Sequence, residues 1–229
     1  MRSLFLIVLT FLTVPAMAQR PDPATPDGEN MNVPKTWKVR LDQGGHGADG
    51  HQAAIGADPE TADIYFVNMT PGWHITTKPA AIFYHPASTA EGAYRAETVI
   101  HLFDPQGRNE AFGLFIGGKD LEGADQTYDY FVIRNSGEFL IKRRTGSETS
   151  VIKNWTKHDA IRRFEAGSTS VPNTLAVEVS TNDVGFFING EEVARLPKPE
   201  VQTDGIVGLR INHRLNVHVE DLAVTPAGA

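Results

Sequence analysis

Val184-Gly185-Phe186-Phe187-Ile188-Asn189-Gly190-Glu191-Glu192-Val193 holds the clearest structural signal in the chain. Asn189-Gly190 predicts a type I′ turn, whose two central residues need φ > 0, the conformation Asn and Gly tolerate best. The turn joins a predicted strand over 184–188 to another over 192–196. Just upstream, Leu175, Val177 and Val179 fall on one side, Ala176 and Glu178 on the other. That two-residue period marks a strand with one face on a core and one in water. Further upstream, Phe131 and Ile133 oppose Tyr130 and Arg134. Phe139 and Ile141 oppose Lys142 and Arg144, with Ser136-Gly137 turning the hairpin between them.

From Asp63 onward, short segments rich in Val, Ile, Phe and Tyr recur about every 8–15 residues, separated by Gly, Pro, Asn and Asp, which is the spacing of an all-β sandwich or barrel. Strands are predicted over 37–41, 64–68, 74–77, 81–85, 94–103, 111–117, 128–134, 138–144, 174–180, 184–188, 192–196, 206–211 and 216–225. One helix of a turn or two is predicted over 157–164. The fold expected is a two-sheet antiparallel jelly-roll sandwich.

The N-terminus reads differently. Met1-Arg2-Ser3 is basic, Leu4 to Val14 is apolar, and Ala16-Met17-Ala18 is a small-x-small cleavage site. This is the tripartite pattern of an export signal, and it falls short of the roughly 20 apolar residues of a membrane span. The domain reading is therefore signal peptide 1–18, a Pro-rich flexible leader 19–35, and one jelly-roll domain 36–229 in a periplasmic or extracellular protein. No later stretch predicts a membrane span. The chain has no cysteine, which excludes disulfides and thiolate chemistry, and a mature chain of about 210 residues buries enough surface to fold without them. A net charge of −7 disfavours a nucleic-acid partner, because phosphate binding wants a basic surface.

The succession of 173–179, 184–193, Gly205-Ile206-Val207-Gly208-Leu209-Arg210-Ile211 and Val217-His218-Val219-Glu220-Asp221-Leu222-Ala223-Val224 resembles the concanavalin A-like lectin/glucanase superfamily, in particular its laminin-G-like and 3-keto-disaccharide-hydrolase-like branches. The resemblance implies a jelly roll with a saccharide on its concave sheet. The same fold hosts enzymes, lectins and adhesion modules, so it does not imply one activity.

Catalytic patterns are sparse. Glycoside hydrolysis needs paired carboxylates at a defined separation, and the E-x-D-x-x-E strand of laminarinase-type glucanases is absent. The nearest pattern, Asp120-Leu121-Glu122, follows Gly117-Gly118 and is expected in a loop. Glu97 sits mid-strand beside Arg95 and reads as an Arg-paired or solvent-facing carboxylate. No G-x-S-x-G elbow, P-loop or dinucleotide fingerprint occurs. His46-x4-His51 with Asp49 reads as solvated loop histidines rather than a zinc site. Asp104, Asp120, Glu122 and Asp125 are candidate oxygen ligands for a structural calcium ion.

Sugar recognition combines aromatic faces with planar hydrogen-bonding groups. Trp73, His74, Tyr84, Glu97, Tyr130, Arg134, Lys142, Arg144, Arg210 and Asn212 are the candidate substrate-binding residues. Tyr128 and Tyr130 are expected to leave the core on the side of Arg134, and Arg210 and Asn212 to oppose Leu209 and Ile211. Trp73 and Tyr84 have packing beneath loops as their alternative role. The cations Arg134, Lys142, Arg143, Arg144 and Lys153 cluster around one hairpin, where they either meet an anionic glycan or form a solvated face paired with Glu138 or Glu148. The leading expectation is glycan binding. The alternatives are a saccharide-active hydrolase and an envelope module that binds a protein partner.

Overall fold

A computed structural model describes residues 31–42 and 53–227. The signal sequence, the leader as far as residue 30, and the glycine-rich stretch with His46, Asp49 and His51 lie outside the described residues. The strands are β1 (Lys38–Leu41), β2 (Ile55–Gly56), β3 (Ile64–Asn68), β4 (Trp73–Thr77), β5 (Ala81–Ala90), β6 (Tyr94–Phe103), β7 (Ala111–Lys119), β8 (Thr127–Arg134), β9 (Glu138–Thr145), β10 (Glu148–Lys157), β11 (Ser170–Val179), β12 (Asp183–Ile188), β13 (Glu191–Pro197), β14 (Gly205–Ile211) and β15 (Asn216–Pro226). They form two sheets. The seven-stranded sheet runs β1-β5-β14-β7-β8-β9-β10, and the eight-stranded sheet runs β13-β12-β11-β6-β15-β4-β3-β2. Every pairing is antiparallel except β2 with β3. This is the two-sheet sandwich that the alternation predicts.

The alternation is what stacks the sheets. Leu175, Val177 and Val179 from one sheet and Phe131, Ile133, Phe139 and Ile141 from the other all enter the shared core. Aromatic edges bridge the layers: Phe131 meets Phe186 at 5.3 Å between ring centroids, and Phe66 meets Phe83 at 5.1 Å. Edge-to-face pairs of this kind contribute about 0.5–1.5 kcal/mol beyond the area they bury. Asn189 and Gly190 have φ of 51° and 87°, so the β12–β13 hairpin turns as its sequence requires.

The face of the seven-stranded sheet turned away from this core is also largely buried. Ile82, Tyr84, Phe115, Leu121, Tyr128, Tyr130, Val132 and Leu140 form a second apolar layer there, with Trp155 at its margin. Gly208 makes room for it: a Cβ at that position would come within 2.4 Å of the Phe115 ring and 2.5 Å of the Phe83 carbonyl.

One predicted element is corrected and a long strand is added. Residues 158–164 form no helix. Side-chain amides hold their backbone instead: Arg162 N donates to Asn173 Oδ1, Asn173 Nδ2 donates to the Arg162 carbonyl, and Phe164 N donates to Asn135 Oδ1. These bonds replace an i→i−4 ladder and let Ala160 and Ile161 reach the core. The segment just before, predicted as no element, is the edge strand β10. It is exposed along most of its length, and its ladder with β9 is interrupted by two register shifts. A single 3-10 turn at Lys198–Glu200 is the helical element among the described residues, none of which forms a helix long and apolar enough to cross a membrane.

Candidate functional site

Strand parity divides the ten candidate residues between two surfaces. Tyr84, Tyr130, Arg134, Lys142, Arg144, Arg210 and Asn212 gather on the outer face of the seven-stranded sheet. In register, Tyr84 lies beside Gly208, then Phe115, Tyr130 and Lys142 follow across the sheet. One step along, Tyr128 pairs with Arg144. Trp73, His74 and Glu97 belong to the eight-stranded sheet, so the structure does not bring them to this face.

The centre of the face is an ion pair. The Arg210 guanidinium grips the Asp42 carboxylate through both terminal nitrogens, while its Nε donates to Asn212 Oδ1 at 3.1 Å. Arg210 is only 6% exposed, so its charge depends on that partner. Burial pushes the Asp42 carboxyl up, but the hydrogen bonds and charge of Arg210 outweigh it, and the group ends below the ordinary carboxylate value. The guanidinium carbon also sits 5.4 Å from the Tyr130 ring centroid. Burial pushes the Tyr130 phenol up to about 12, and the Tyr128 phenol is raised for the same reason, so both remain protonated.

A second arginine organises the margin. Arg134 pairs with Glu138 at 2.7 Å, and its guanidinium lies 3.9 Å above the Trp155 ring. Glu138 is held low by hydrogen bonds from Ser136 and Arg134. Arg144 Nε donates to the Gly146 carbonyl and its Nη2 to the Asp42 carbonyl. Arg143, between Lys142 and Arg144 in sequence, points the other way and makes a paired contact with Asp129 at 2.7 Å. Arg40 donates to the carbonyls of Leu121 and Gly123, fixing the loop that carries Asp120 and Glu122.

The remaining candidates have structural partners. Trp73 packs against Trp37 at a tilt of 56° with centroids 4.4 Å apart, beside a cleft of about 600 Å³ bordered by Asn32, Lys35 and Asn68. Tyr84 is 2% exposed within the second apolar layer. Glu97 accepts from Arg95 at 2.6 Å, and Arg95 also faces Glu178. Asp104 caps its own turn through Gln106 N, and Glu122 faces Lys38 at 3.8 Å. Among the described residues, no group of three or more His, Asp or Glu side chains is placed to share a metal ion.

His74 begins a row that single-residue reading misses. In register, His74, His218 and His101 lie side by side on β4, β15 and β6. His101 Nε2 and Glu220 Oε1 are 2.8 Å apart. Both ring nitrogens of His218 are buried without a hydrogen-bond partner. Burial, reinforced by the two neighbouring histidines, brings His218 down to about 4. Asp42, Trp155 and His218 are thus the notable residues that sequence reading passes over. Trp155 alone carries a local signal, a tryptophan shortly after a cationic hairpin.

No protein-family model and no characterised sequence matches this chain. Solved structures do. The carbohydrate binding module CBM66 from Bacillus subtilis aligns with a TM-score of 0.54 at 11% identity, over 70% of this chain and 90% of its own. A Bacteroides ovatus mixed linkage glucan GH16 protein, solved in complex with product, aligns at 0.54 and 9% identity, over 88% and 99%. A Bacillus subtilis protein of unknown function with a galectin-like fold aligns at 0.53 and 13%, over 84% and 90%. At such low identity these likenesses speak to architecture, and with the seven- and eight-stranded layers they show that this chain has the concanavalin A-like lectin/glucanase fold.

Proposed function

We propose that the protein is an exported saccharide-binding module whose binding surface is the outer face of the seven-stranded sheet. One observation carries this: β8, β9 and β10 set Arg134, Lys142, Arg144 and Trp155 half-buried on one face with Asn212, which follows β14; Asn212 and Arg144 bond to the fixed Arg210–Asp42 pair, and Trp155 lies against Arg134 towards the β10 margin. Sugars are recognised by flat apolar surface bordered by planar donors and acceptors held in place beforehand. The ion pairs supply the fixing, since a guanidinium already bonded to a carboxylate loses little freedom when a ligand arrives. The fold that this chain shares with a carbohydrate binding module supports the reading. Binding is favoured over hydrolysis because Asp42 and Glu138, on this face, are each bonded to an arginine and held below their ordinary values, and Glu122 at its edge faces Lys38. A general acid needs the opposite shift. Export rests on the basic, apolar and small-residue succession of residues 1–18.

Glycan-array screening followed by affinity electrophoresis tests the proposal. Trp155→Ala and Asn212→Ala are expected to weaken retention at least about tenfold, equivalent to about 1.4 kcal/mol. Trp73→Ala, off this face, retains binding. Failure to bind any saccharide, or loss only on Trp73→Ala, overturns it.

A further inference from the structure

We infer that the saccharide taken by this face is an acidic one, whose carboxylate or sulfate oxygens are met by Lys142 and Arg144. The inference rests on the saccharide-binding reading and specifies its ligand class.

The charges of the face do not balance. Arg210 is matched by Asp42, and Arg134 by Glu138. Arg40 spends its guanidinium on two loop carbonyls. Lys142 and Arg144 are left. Among the described residues, no carboxylate lies within ion-pair distance of Lys142, and Arg144 bonds only to backbone oxygens. The nearest acidic residue of the neighbouring strand, Glu148, pairs in register with Thr145, whose side chain alternates away from Arg144. Both cations are half-buried; Arg144 has two backbone oxygens and the charge of Asp42 near it, whereas Lys142 is withdrawn from water without a partner, which is costly. An arriving anion removes that cost.

Their spacing suits one ligand. Lys142 and Arg144 are two residues apart on β9, so they share a side at roughly 7 Å, within the span of one sugar ring and its acidic substituent. Tyr130 and Tyr128 are their cross-strand neighbours on β8, and Val151 is the neighbour of Lys142 on β10, 55% exposed. The two cations thus present donor-only groups at the rim of a layer whose own rings, Tyr128 and Tyr130, are buried. Lys and Arg accept no hydrogen bonds, whereas carboxylate and sulfate oxygens only accept them. A neutral hydroxyl also accepts from Lys and Arg, but without the charge that makes the bond to a carboxylate or sulfate about twice as strong. This cationic pair belongs to a chain whose net charge is −7. Long-range attraction of polyanions is therefore weak, and recognition depends on local contact.

The test is titration calorimetry of the purified chain with three probes: oligogalacturonate, a sulfated galactan oligomer and a neutral cello-oligosaccharide. At least one acidic probe is expected to bind about tenfold or more tighter than the neutral one, and to weaken as salt rises, because exposed charges are screened over about 8–10 Å. Which acidic probe binds separates carboxylate from sulfate. Lys142→Gln is expected to erase the preference, and Lys142→Arg to restore it in a chain of unchanged melting temperature. Equal or tighter binding of the neutral probe, or a preference unmoved by Lys142→Gln, overturns the acidic assignment while leaving saccharide binding intact. Binding of no probe at all removes both.

Discussion

Arg210 and Asp42 stand 168 residues apart in sequence, yet the guanidinium of one closes on the carboxylate of the other at the centre of the seven-stranded sheet's outer face. The pair ties the end of β1 to β14 across the intervening β5. Removing Asp42 leaves a buried cation without its partner. Asp42→Ala is expected to cost about 3–5 kcal/mol. Replacing both residues, Asp42→Ala with Arg210→Met, is expected to recover part of that loss, because the uncompensated charge is gone. Urea unfolding of the three proteins measures it; equal stability of the single and double variants contradicts the burial argument.

The histidine row sets a pH window. His218 is held near 4 in the folded chain against an ordinary value of 6.5. Between those values the unfolded chain takes up a proton that the folded chain refuses, so acid favours unfolding. The stabilisation is fully present above 6.5 and lost as the pH falls from 6.5 towards 4. At about 1.4 kcal/mol per unit, the loss approaches about 3 kcal/mol. His74, lowered by burial, adds to the slope in the same direction. His218→Phe is expected to flatten most of the dependence and to raise stability at pH 5. Melting curves from pH 4.5 to 7.5 read this directly, and a slope unchanged by the substitution refutes it.

Gly208 and Gly56 make a matched comparison. A Cβ at 208 would collide with the Phe115 ring and the Phe83 backbone, whereas one at 56 meets nothing closer than 3.8 Å. Gly208→Ala is expected to destabilise by about 1–3 kcal/mol through overpacking of the second apolar layer. Gly56→Ala is expected to stay within about 0.5 kcal/mol of the parent. Guanidinium midpoints for the two variants decide it.

Asn173 is 1% exposed and serves three partners: Arg162 N, the Arg162 carbonyl and Asn189 Nδ2. Asn173→Ala strands buried polar groups at about 1–3 kcal/mol each. The expected result is a drop in stability with faster amide exchange confined to residues 160–164 and the β12–β13 turn. Exchange that rises uniformly across both sheets would show that the segment is held by something else.

Sequence alternation was enough for the parts where one face meets the core and the other meets water. β6 begins and ends where its pattern does, and Lys142, Arg143 and Arg144 separate onto opposite sides as their spacing requires. β10 was not legible because its residues meet solvent on nearly every side, so no two-residue period arises. The expected helix over 157–164 failed because the amides that hold that segment come from Asn135 and Asn173, beyond any local window. The site divides the same way. Arg134 with Glu138 is a hairpin pair and could be read; Arg210 with Asp42 and the His74–His218–His101 row exist only once strand order is known. Nothing in a linear reading places β4, β15 and β6 next to one another.

The outermost strands also govern how these molecules meet one another. β10 has two breaks in its register and carries Lys153 and Lys157, β13 has one break and ends in Pro197, and the opposite margins are the short β1 and the two-residue β2. An added chain seeking to extend either layer finds an interrupted row of amides, a charge, or too few residues to grip. Crowding such molecules together is therefore expected to give little filament growth by strand addition at these four borders of the described residues.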